Sequence, residues 1–140
     1  ATGPCARRSV PARAAQAAAI RGRSVRAFLA AGARIVTAVD VKSHGYNVPG
    51  AGVHRELAML VAAGLSPAEA IRAATVNCAD MVGAGTTLGH IAVGYQADLI
   101  AVEGDPLAKI EDLRRITLIV RGGEVLERQQ LLAQAQRAIR

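Results

Sequence analysis

Six residues near the end of the first quarter of the chain, Arg34-Ile35-Val36-Thr37-Ala38-Val39, set the terms for any fold this sequence can reach. After Arg34 they are uncharged and mostly branched, with no polar alternation to mark a face for water. Such a run predicts a strand buried on both faces, as in a parallel sheet covered by helices. It is closed by Asp40. A helical stretch over residues 14–31, with Ile20, Phe28 and Leu29 among alanines, precedes it, and Gly32 suits the left-handed position past a helix end. Helix, short turn, buried strand and a carboxylate at the strand's carboxyl end follow the order of an α/β protein. Sheets and barrels of that class place their active sites at that end.

Downstream, residues 41–53 read as a polar, glycine-bearing loop. A helix is expected over 54–63, with Leu57, Leu60 and Val61 on one face and Gly64 closing it. The next start is marked by Ser66, Pro67 and Glu69: an N-cap, a first-turn proline and the partner of a capping box. That helix is expected to run to Val82 and to bury Ile71, Ala74, Cys78 and Met81. Beyond Gly83 the texture changes to short strands, expected at 89–93, 98–102 and 116–121. Gly122-Gly123 is a two-residue hairpin signal leading into 124–126. Residues 128–139 read as a terminal helix.

Composition excludes several classes. The chain has 140 residues, 51% of them hydrophobic, which suits one globular domain rather than disorder. Its net charge of +6 is unevenly placed, because residues 1–39 carry seven arginines and no acid. Aromatic residues make up 2%. The arginines could touch phosphates, but without aromatic platforms or a recognisable reader fold no nucleic-acid binding is expected. Arginines also interrupt every long apolar stretch, so no membrane span is expected. Cys5 and Cys78 are too far apart for a paired zinc motif or a disulfide framework, which fits a reducing, cytoplasmic setting. The glycines at 83, 85, 89 and 94 follow a helix rather than a strand and match no phosphate-loop spacing.

The candidate functional residues gather around the end of the expected strand. Asp40 stands at the position where a carboxylate does chemistry in this architecture; the alternative is a helix N-cap or turn aspartate. His44 in the following loop is a candidate ligand, proton shuttle or substrate contact; Asn47 and His54 are weaker, and Glu56 reads as a residue of a solvated helix face. The three histidines form no helical His-x-x-x-His pair and no other compact metal motif.

The segments AGARIVTAVD, HGYN, RELAMLVAAGLSPAEAIRAATVNCADMVG, LGHIAVGYQADLIAVEGDPL and ITLIVRGGEVL, taken in order, give the chain a likeness. It resembles, over roughly residues 24–127, the carboxyl-terminal part of the metal-dependent amidohydrolase superfamily, most closely its imidazolonepropionase-like branch of cyclic-amide and dipeptide hydrolases. The resemblance implies an α/β fold: the last βα units of a (β/α)8 barrel, then strands of the accompanying small β-sandwich. The chain would divide into a basic arm at 1–13, a barrel portion at 14–84, a sandwich portion at 85–127 and a helix at 128–140.

The resemblance also implies roles. The last barrel strand of the family ends in Gly-Thr-Asp, read here as Ala38-Val39-Asp40, and that aspartate binds the metal and serves as general base. His44-Gly45-Tyr46-Asn47 matches a His-Gly-x-Asn loop over the active site, so His44 and Asn47 are expected to contact substrate. Zinc or another divalent metal is the implied cofactor and a small-molecule amide the implied substrate. The family's His-x-His pair, bridging lysine and two later histidines do not occur in this sequence, and a full barrel takes about 250 residues. Zinc takes three or four protein ligands and Asp40 is one. The expected partners are therefore a complementary barrel half or further copies of the chain; the alternative is a non-catalytic fragment or interaction module.

Overall fold

The structure, a computed structural model, describes residues 10–39 and 50–138. A long helix, α1 (Val10–Ala30), is followed by α2 (Ala51–Ala62), α3 (Pro67–Ala74) and α4 (Val76–Met81). Strand β1 (Leu99–Val102), a 3-10 turn (Ile110–Arg114), strands β2 (Ile116–Arg121) and β3 (Glu124–Leu126) and a last helix, α5 (Arg128–Ala138), complete the order.

The core forms where α2 and α3 meet. Leu57 and Leu60 of α2, Leu65 of the turn, Ala70 and Ala73 of α3 and Ile110 of the 3-10 turn are buried together. Val25, Leu29 and Ile35 pack on them from the other side. The turn between α2 and α3 is locally determined at both ends. Leu65 donates its N–H to the Leu60 carbonyl at 3.2 Å and Gly64 to that of Val61 at 2.9 Å, a Schellman closure with Gly64 at φ 111°. Two residues later the capping box is complete: the Ser66 hydroxyl accepts the Glu69 N–H at 3.2 Å, and Glu69 Oε2 accepts the Ser66 N–H at 2.7 Å. The Ser66 N–H, and then the Ser66 hydroxyl, which also donates to Glu69 Oε2 at 2.7 Å, hold the Glu69 carboxyl below its usual pKa. Arg26 joins α1 to this corner, donating from Nη1 to the Ala63 carbonyl at 2.7 Å.

The helix expected to reach Val82 is two helices. Thr75 breaks it at φ −123°, ψ −89°, and its hydroxyl turns back to donate to the Ile71 carbonyl at 2.9 Å. The break turns the following residues, so that Ala79 is buried and Met81 is 62% exposed, against the expected burial of Met81.

The small sheet is antiparallel in the order β1-β2-β3. Leu99 faces Val120 and Ile100 faces Ile119, while Val120 faces Val125 across the hairpin. Both hairpin residues have positive φ, 58° at Gly122 and 86° at Gly123, as a two-residue turn of this twist requires. Asp98 secures the hairpin from the first strand's side: its Oδ1 accepts the Gly122 N–H at 2.6 Å, beside a Gly123 N–H to Ala97 carbonyl bond of 3.0 Å.

Two expected strands are absent among the described residues. Residues 89–93 form bends, with Gly89 at φ 89° turning the chain and Ile91 and Val93 fully in solvent. Gln96 and Tyr95 fold this loop on itself, through Gln96 N–H to Thr87 carbonyl at 2.9 Å and Tyr95 hydroxyl to Gly85 carbonyl at 3.1 Å. Residues 33–39 run without strand pairing, and are part-buried at Ile35, Val36, Thr37 and Val39 rather than buried on both faces. A strand exists only through its neighbours, and the described residues place none beside this one. The described part thus holds helices and one antiparallel sheet.

Candidate active-site segment

Asp40, His44 and Asn47 lie outside the described residues. The structure does describe how the chain is led to the first of them. The approach, residues 34–39, is held from two sides. On the side of α3 and α4, Thr37 donates its N–H to the Ala73 carbonyl at 3.2 Å and Asn77 Nδ2 donates to the Ile35 carbonyl at 2.8 Å. The break at Thr75 opens the Ala73 carbonyl to partners outside the helix, since Cys78 Sγ also reaches it at 3.0 Å and lies 3.8 Å from Thr37 Oγ1. Arg34 pairs with Asp80 at 2.6 Å on an exposed face, where such a pair contributes little.

On the side of α2, Glu56 Oε1 accepts the Ala38 N–H at 3.1 Å. One turn earlier, Gly52 meets Val39 so closely that a Cβ on it would lie 2.5 Å from Val39 Cγ1. Reading Glu56 as a solvated helix residue missed this bond. The i, i+4 spacing puts Gly52 and Glu56 on one face of α2 but does not point to a partner eighteen residues away.

The other histidines sit apart from this segment. His54 and His90 line a cavity of about 430 Å³ between α2, α3 and β1, whose walls include Leu57, Ile71, Leu99 and Leu113. Burial, and then the Arg114 guanidinium, push the His54 pKa below its usual value. Its Nδ1 is buried without a hydrogen-bond partner. His90 stacks edge-on against Tyr95, ring centres 5.3 Å apart. Among the described residues no group of three or more His, Cys, Asp or Glu side chains is arranged to hold a metal ion. Asp40, the metal ligand that the resemblance implies, lies outside them.

The sequence His-Gly-x-Asn, preceded by a segment held from α2 on one side and from α3 and α4 on the other, and followed by a capping-box helix and a short antiparallel sheet, defines a class. The profile of the amidohydrolase family matches residues 12–126, and the chain belongs to that family. The match begins ahead of residue 24, where the motifs alone placed it.

Ochratoxinase from Aspergillus niger is 36% identical over 86 residues, which are 58% of this chain and 18% of that protein. A Xaa-Pro dipeptidase, solved with methionine bound in its active site, matches 76% of this chain and 25% of its own at 28% identity and a TM-score of 0.68. Molinate hydrolase matches 57% of this chain and 17% of its own at 30% identity and a TM-score of 0.56. The chain therefore spans at most a quarter of the length of these relatives. Among the described residues, no helix is long and apolar enough to cross a membrane.

Proposed function

We propose that this chain is the carboxyl-terminal segment of an amidohydrolase that cleaves the carbon–nitrogen bond of a small amide, dipeptides and cyclic amides included. The observation that carries the reading is the family match over residues 12–126, which contains Asp40, His44 and Asn47. In the complete enzyme water attacks the amide carbonyl. Asp40 takes a proton from that water and passes it to the leaving nitrogen, so that one carboxylate acts as base and then as acid. His44 contacts substrate or the charge that develops on the carbonyl oxygen, and Asn47 contacts substrate. A divalent metal, zinc by family expectation, would lower the pKa of the water when bound. To that centre this chain brings Asp40, the other ligands coming from a complementary part of the barrel, and the chain alone is inactive.

The division into a basic arm (1–13), barrel portion (14–84), sandwich portion (85–127) and terminal helix (128–140) belongs to the same proposal, as does a cytoplasmic setting.

The test is Asp40→Asn in the complete enzyme, assayed on a methionyl-proline dipeptide and a panel of cyclic amides. Turnover should fall by about 10²–10⁴-fold, the usual contribution of general acid–base catalysis, while assembly is unchanged. Retained turnover would remove Asp40 from the mechanism.

A further inference from the structure

No further inference is drawn: the strongest candidate, the apolar cavity of about 430 Å³ between α2, α3 and β1 that His54 and His90 line, lies on a face of a chain that spans at most a quarter of each compared relative, and nothing in the structure shows what covers it.

Discussion

His54 shows how a single side chain carries both packing and charge in this chain. It lies part-buried at the edge of the core, beside Leu57 of α2, with Arg114 as a charged neighbour. Burial first and Arg114 second disfavour its protonated form, so its pKa in the folded chain lies below the ordinary 6.5. Between those two values the unfolded chain binds a proton that the folded chain does not. Stability contributed by neutral His54 is therefore complete above the ordinary value and is lost as the pH falls through 6.5 towards the folded value. The urea midpoint should drop on acidification across that window, and drop less in His54→Gln, which cannot titrate. Equal slopes in the two proteins would show that His54 does not govern this window. Residue-scale roles were unevenly legible. Asp40 and His44 stood out by type and place, whereas Glu56 looked like any exposed helix glutamate. Its partner is a backbone amide eighteen residues away, and no spacing rule reports such a partner.

At the scale of elements, local chemistry was readable wherever it sufficed to decide the structure. Ser66, Pro67 and Glu69 announce the start of α3, and the capping box forms as the residues require. Gly122-Gly123 announces the hairpin and fixes its register, with Arg121 opposite Glu124. Ser66→Ala removes the acceptor for the Glu69 N–H and should lower stability by about 1 kcal/mol, read as a shift of the urea midpoint at constant slope. No shift would mean that water or a neighbouring group replaces the cap. Elements decided by distant partners were not readable. The run 35–39 carries a strand pattern, but a strand requires a paired neighbour, and the described residues hold this run with helix side chains and a single helix carbonyl. Residues 89–93 carry branched residues for the same expectation, yet Gly89, at φ 89°, turns the loop onto α4, where a Cβ would lie 3.0 Å from the Val76 Cα. The break at Thr75 was hidden as well, since composition favours one continuous helix. Its use is to free the Ala73 carbonyl for Thr37.

The whole molecule has a small core for its apolar content. The described buried set is made of leucines, alanines and Ile110, and no large side chain among the described residues is fully enclosed. Ile91, Val93 and Leu107 stand in solvent, as do Ile100 and Val125 on the sheet, and β1 and β3 are open edges among the described residues. The proposal of a carboxyl-terminal segment accounts for this: three quarters or more of each compared relative's length lies outside the matched part, enough to cover these faces. It also accounts for a family match without a metal-holding group among the described residues. The central claim is that the chain brings the carboxylate of Asp40 to a centre that other protein completes. A urea titration of the purified chain by far-ultraviolet circular dichroism, with zinc and then with chelator, tests it most directly. The account predicts the same midpoint in both, because one carboxylate does not hold zinc against water. A cooperative transition whose midpoint rises with zinc, by about 2.7 kcal/mol of added stability at a hundredfold excess over the dissociation constant, would show a complete site within the chain and contradict it.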